Sequence, residues 1–139
     1  MNNNEMIKFL KERIKRLNEI GLALSKEDDT NVIFEMILEE AKNITHADGR
    51  TLYMKNNDGD LKFEILRNDS KNTVMGGTSG VDIPFPPVKL IGEDGEPNEK
   101  NVSAYAAIHS RTINIKDAYE EEGFDFSGAK NYDKNFDYR

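Results

Sequence analysis

The sequence predicts one domain of mixed α and β structure, and three observations carry that reading. Two N-terminal stretches, 7–24 and 33–44, repeat apolar residues at helical period. A pair of short stretches joined by turn residues follows, and in the second apolar and charged residues alternate as on a half-buried strand. The length of 139 residues suits one domain, or one domain with an appended helix, and permits burial of about two thirds of the unfolded chain's surface.

In the first helix Ile7, Leu10, Ile14, Leu17, Gly21 and Leu24 keep a 3-4-3-4-3 spacing, a heptad seam. Isoleucine followed by leucine in each repeat suits a parallel two-stranded coil, and Gly21 weakens the helix where a hinge would separate coil from domain. The alternative is a helix packed on its own domain's core, because Phe9, Ile20 and Leu22 widen the apolar face. A second helix is signalled by Asp28, Asp29 and Thr30, capping types placed where a helix N-terminus favours negative charge. Its apolar positions are Ile33, Met36, Ile37, Ala41 and Ile44.

Residues 51–54 are rich in strand formers, 56–60 are turn residues, and Leu61, Phe63 and Ile65 alternate with Lys62 and Glu64. This predicts a β-hairpin with one buried face. Periodicity is then absent from 68 to 101, a stretch long enough to be disordered or functional. Within it 81–91 carries enough apolar residues to lie on the core, whereas 92–100 is an acidic tip. Ser103 is placed to cap a short helix reaching His109, 112–115 reads as another strand, and the end reads as an acidic loop with a short helix from Tyr132.

Composition removes several chemistries. The absence of cysteine excludes disulfides, thiol nucleophiles, iron–sulfur clusters and cysteine zinc sites. A net charge of −7, from 26 acidic and 19 basic residues, opposes an electrostatic grip on nucleic acid or anionic lipid. No apolar stretch approaches the roughly 20 residues of a membrane span, and the N-terminus has neither a basic start nor an apolar signal core, so the expected location is the cytoplasm.

No enzyme signature emerges. The glycines at 76, 77 and 80 could expose amides to an anion, but no Gly-Lys-Ser/Thr follows and prolines do. His46 and His109 have no second ligand at helical spacing, so no metal is expected, and His46 reads as part of a helix end. Acidic pairs such as Asp125 and Asp133 come without sign of a cleft, 120–122 reads as a solvated face, and Ser127 lacks a nucleophile elbow. The expectation is a chain without catalytic residues or cofactor.

Three stretches resemble the GAF domain, a small-ligand sensor module. Residues 44–54 (Ile-Thr-His-Ala-Asp-Gly-Arg-Thr-Leu-Tyr-Met) are similar to the family's passage from second helix to first strand. Residues 68–80, with Ile83-Pro84-Phe85-Pro86-Pro87, resemble GAF domains that precede HD-GYP phosphodiesterases and related bacterial signalling outputs. Residues 101–105, 113–119 and 124–128 continue the pattern. The ending departs from it, with Phe136 and Asp137 where the family tends to have Thr and Gly.

The resemblance implies an α+β fold: an antiparallel sheet with the N-terminal helices on one face and a loop and short-helix layer on the other. It divides the chain into an N-terminal signalling or dimerisation helix, 1–25, and a sensor domain, 26–139, that lacks the family's last strands. It further implies a non-catalytic regulatory module that binds a small molecule, such as a cyclic nucleotide, between sheet and layer. The candidate ligand-binding residues are Thr78, Ser79, Phe85, Ser103, Tyr105, Phe126 and Asp133, polar groups meeting an anion and rings stacking a base. The alternative is a dimerisation module with no ligand; the reductase chemistry of some GAF proteins needs cysteine and is excluded. Partners are then a small molecule and a second copy through the N-terminal helix, with no nucleic acid and no membrane. If the seam pairs, Leu10→Asp with Ile14→Asp is expected to convert dimer to monomer and leave the sheet folded, read by light scattering and circular dichroism.

Overall fold

A computed structural model describes residues 2–136. Its elements are α1 (Asn3–Lys26), α2 (Thr30–Thr45), β1 (Gly49–Lys55), β2 (Leu61–Asn68), β3 (Thr73–Gly76), a 3-10 turn (Gly77–Ser79), α3 (Val102–His109) and α4 (Ser127–Phe136). Among the described residues these make an α+β fold of four helices and one three-stranded antiparallel sheet, ordered β1-β2-β3. Asp137, Tyr138 and Arg139, part of the ending that departs from the family pattern, lie outside the described residues.

Local chemistry sets the helix starts. Asn2 and Glu5 form a reciprocal capping box at α1, and Asp29 caps α2 by accepting from the amides of Asn31 and Val32. The second helix ends at His46, whose left-handed backbone (φ 57°) turns the amide back to the Lys42 carbonyl. At α3 the cap is Asn101 rather than the expected Ser103: the Asn101 side chain accepts from the amides of Ser103 and Ala104.

The hairpin β1–β2 forms as expected, closed by Asn56 and by Gly59 at φ 89°. Its register slips between Leu52 and Tyr53, which pair with Ile65 and Phe63 and leave Glu64 as an extra residue. Successive strand residues point to opposite faces, so the slip sends Ile65 and Phe63, two apart, to opposite sides. The expected single buried face is therefore replaced by two partly covered ones.

On one face Arg50, Ile65 and Arg67 look toward α2: Arg50 and Arg67 form ion pairs with Glu39 and Glu35 at 2.9 and 2.8 Å. On the other, Tyr53 and Phe63 meet the segment 81–136. Ile65 is fully buried, and Leu38, Leu61, Leu66 and Ala104 complete a small set of buried apolar residues. The segment 81–91 is fastened to the hairpin by a two-way bridge between Leu61 and Val88 and by Lys89 donating to Asp60 at 2.7 Å. Asp60 also accepts from the Leu90 amide; these contacts hold its carboxyl below the ordinary value, Lys89 contributing most.

Three expectations are corrected. Residues 73–76, read as aperiodic, form β3, because Asn72 at φ 50° closes a tight turn onto Asp69 and folds the chain back along β2. Residues 112–115 form no strand; Ile113 and Ile115 are still half-buried between exposed neighbours, but among the described residues no strand pairs with them to complete a ladder. The last helix starts at Ser127 rather than Tyr132, where Asp125 accepts from the Ser127 amide.

The first helix does not pack into this core. It has no buried residue, and Ile7, Leu10, Ile14 and Leu17 are 49–59% exposed. It runs beside α2, tied by an ion pair between Arg16 and Glu40, with Ile20, Ala23 and Leu24 half-buried near the link. On α2 the sheet side is taken by Leu38, while Ile37, Ala41 and Ile44, three of the five periodic apolar positions, are exposed. Since Ile65 alone among the described large side chains is wholly enclosed, Ile65→Ala is expected to cost about 3 kcal/mol, measured by urea unfolding.

Candidate functional site

Two surfaces carry the chemistry-bearing residues, one on each face of the sheet. The first is an open cleft of about 320 Å3 between α2 and β3, lined by Glu35, Glu39, Ile65, Arg67, Val74, Thr78 and Ser79. Glycine makes this turn possible. A Cβ on Gly76 would lie 2.1 Å from the Glu64 carbonyl oxygen, and one on Gly77 would lie 2.4 Å from the Glu35 carboxylate; both residues have positive φ.

The Glu35 carboxylate sits against this turn. It accepts from the Thr78 amide at 2.9 Å, from the Thr78 hydroxyl, and from Arg67 at 2.8 Å. Arg67 also donates to the carbonyls of Leu66, Met75 and Gly76, so it is held in a fixed plane across β2 and β3. Burial pushes the Glu35 carboxyl up, but the Thr78 amide and hydroxyl and the Arg67 guanidinium outweigh it and hold it below its ordinary value. The glycine-rich turn therefore cradles an anion that belongs to its own chain.

The second surface lies between the other face and the loop and helix layer. Tyr53, Phe63, Phe85 and Tyr132 form a chain of rings with centroid separations of 4.6, 5.6 and 6.0 Å. Tyr105 meets the His109 ring at a tilt of 42°, with centroids 4.3 Å apart, and also meets Phe124, which meets Phe126. Burial raises the Tyr53 phenol above its usual value, opposed by the smaller influence of the Ser103 hydroxyl on α3. On α4, Asp133 accepts from the Tyr119 hydroxyl. His109 contacts Glu99 at 2.9 Å at the outer end of α3.

The seven candidate residues thus divide. Phe85 lies in the ring chain, Tyr105 and Phe126 in the second ring group, Ser103 on α3 and Asp133 on α4, all in the segment 81–136. Thr78 and Ser79 lie across the sheet in the α2 cleft, where Thr78 holds Glu35 and Ser79 donates to the Gly76 carbonyl. Sequence reasoning passed over Glu35 and Arg67, whose pairing spans 32 positions, and Tyr53, Phe63 and Tyr132. The rings at 53 and 63 were visible as strand residues; their shared face depends on the slip. Among the described residues no group of three or more His, Asp or Glu could hold a metal ion, and no helix is long and apolar enough to cross a membrane. No family model matches the chain, and no curated protein or solved structure matches it.

The lowered carboxyl of Glu35 has a testable sign. A group whose folded pKa is depressed adds stability above its unfolded value, near 4.5, and that stability is lost as pH falls through the folded value. Asp60, Asp69 and Asp125 act in the same direction. Urea unfolding across this range is expected to show falling stability toward acid, with a shallower dependence in Glu35→Gln, which is already weakened at neutral pH.

Proposed function

We propose that the chain is a non-catalytic regulatory sensor module of the GAF kind, acting in the cytoplasm as part of a bacterial signalling protein. A small molecule is read by the layer side of the sheet, and its presence is passed through α1 to an output domain. The observation that carries this reading is α1 itself. A 24-residue helix with no buried residue adds little to the core of the domain behind it, and its exposed seam has a purpose if it transmits state to a partner. The order of two helices, hairpin, long segment and short helix supports the same family reading.

On the layer side the rings of Phe85, Tyr105 and Phe126 supply stacking surface, and Ser103 and Asp133 supply polar edges, the combination that suits a nucleotide. Binding there would shift α4 against β2, since the Phe63–Phe85 and Phe85–Tyr132 ring contacts join them. Titration calorimetry with cyclic AMP, cyclic GMP and cyclic di-GMP tests the nucleotide form. Heat from one of them, lost in Tyr105→Ala and Ser103→Ala, is the expected result; no heat from any of the three contradicts it.

A second reading, a dimerisation module with no ligand, is favoured by the ring chain Tyr53–Phe63–Phe85–Tyr132, whose contacts occupy the layer. It differs in one outcome: Phe85→Ala would then lower the melting temperature and leave every small-molecule titration flat.

A further inference from the structure

The charges of α1 are sorted about its apolar seam. The helix holds six basic and three acidic side chains. At 3.6 residues per turn, Lys11 and Arg13 stand roughly 80° to either side of the line through Ile7, Leu10, Ile14 and Leu17, and Lys15 and Lys8 follow on the Lys11 side at roughly 120° and 140°. Glu5, Glu12 and Glu19, spaced one heptad apart, make a stripe roughly 160–180° from the seam, at the back of the helix.

Little of this is used inside the chain. Among the described residues no ion pair engages Lys8, Lys11 or Arg13; Arg13 lies 5.5 Å over the Phe9 ring, and Lys15 reaches Glu19 only at 3.8 Å with 79% of its side chain exposed. The second helix lies on another side of α1, where Arg16 meets Glu40 and where Ile20, Ala23 and Leu24 are half-buried. Met6, Ile7, Leu10, Ile14 and Leu17 are left 41–59% exposed.

The position of the charges identifies the occupant. A parallel coil of two copies would bring Lys11 and Arg13 of both helices to its flanks with no acidic residue among them, since the glutamates stand at the back. The seam calls for an occupant that is apolar in the middle and anionic along both borders. A lipid surface has this profile: acyl chains take the apolar side chains, and the basic side chains at the borders reach up to headgroup phosphates. Nucleic acid supplies the charge without the apolar layer. The net charge of −7, which opposes such a grip when counted over the whole chain, acts locally, because physiological salt confines each charge to about 8 Å and the acidic excess lies outside α1.

We propose that α1 lies flat in the surface of an anionic lipid bilayer, with the seam toward the acyl chains, Lys11 and Arg13 at headgroup level, and Glu5, Glu12 and Glu19 toward water. The helix docks on the membrane without crossing it, in keeping with its many charges. This goes beyond the sensor reading and needs no small molecule, so vesicle binding and ligand calorimetry can fail independently.

Co-sedimentation of the chain with vesicles tests the proposal. An equimolar mixture of phosphatidylglycerol and phosphatidylcholine is expected to carry the chain down, phosphatidylcholine alone is not, and added salt is expected to release it. Lys11→Glu with Arg13→Glu, both at exposed positions, is expected to weaken binding about tenfold or more with the far-ultraviolet spectrum unchanged. No binding to the anionic vesicles, equal binding to the two compositions, or undiminished binding by the double variant contradicts the proposal. The chain has no tryptophan, so a single introduced one reports depth. Leu10→Trp is expected to shift its emission to the blue with the anionic vesicles, whereas Glu12→Trp is not; an equal shift at both, or none for Leu10→Trp, overturns the orientation. A chain that scatters light as a dimer and ignores the vesicles gives the seam to a second copy and overturns the proposal.

Discussion

The slip between Leu52 and Tyr53 is the constraint on which the rest of the structure depends. With one extra residue at Glu64, the strand β2 presents Phe63 to the layer and Ile65 to α2. A regular ladder would leave both on one side and rob either the ring chain or the α2 face of its central residue. The buried Ile65 and the ring pair Tyr53–Phe63 are therefore two results of the same local event. A small domain with so few enclosed side chains gains from it, because each face of β2 then has something to cover.

Electrostatics fix what the apolar residues leave loose on the α2 side. Arg67 and Arg50 lie under the helix and are met by Glu35 and Glu39, while Asp69 at the β2–β3 turn pairs with both Arg50 and Lys42. These pairs join α2, the start of β1 and the turn after β2 into one network, the situation in which ion pairs contribute more than isolated surface contacts. Glu35 extends it to the glycine-rich turn through Thr78. Two of the turn's amides are satisfied from within, Thr78 by Glu35 and Gly76 by the Val81 carbonyl, and the neighbouring cleft is bounded by a fixed carboxylate.

What was legible in the sequence was local. The cap at Asp29, the turn at 56–60 and the existence of α3 each rest on a few adjacent residues, and each was readable from them. The choice between Asn101 and Ser103 as cap was not, because both side chains can accept and the geometry of the preceding loop decides. The outward stripe on α2 was not legible for a related reason: with Ile33, Phe34, Met36, Ile37 and Leu38 nearly consecutive, periodicity does not say which side meets the sheet. The strand expected at 112–115 shows the same limit, since alternation marks the residues that turn inward while a ladder also needs a neighbouring strand. Of the site, the aromatic members were named without their partners at 53 and 63, whose alignment depends on a slip that no propensity reveals.

The central claim is that the slip gives the sheet two distinct faces, one built on α2 and one on the aromatic layer. Proton–proton nuclear Overhauser contacts test it most directly in the intact chain. The account predicts contacts from Ile65 to the Gly77–Ser79 turn and from the Phe63 ring to the Phe85 ring, with none between Ile65 and Phe85. Contacts from both Ile65 and Phe63 to Phe85 would place the two side chains on one face and contradict it.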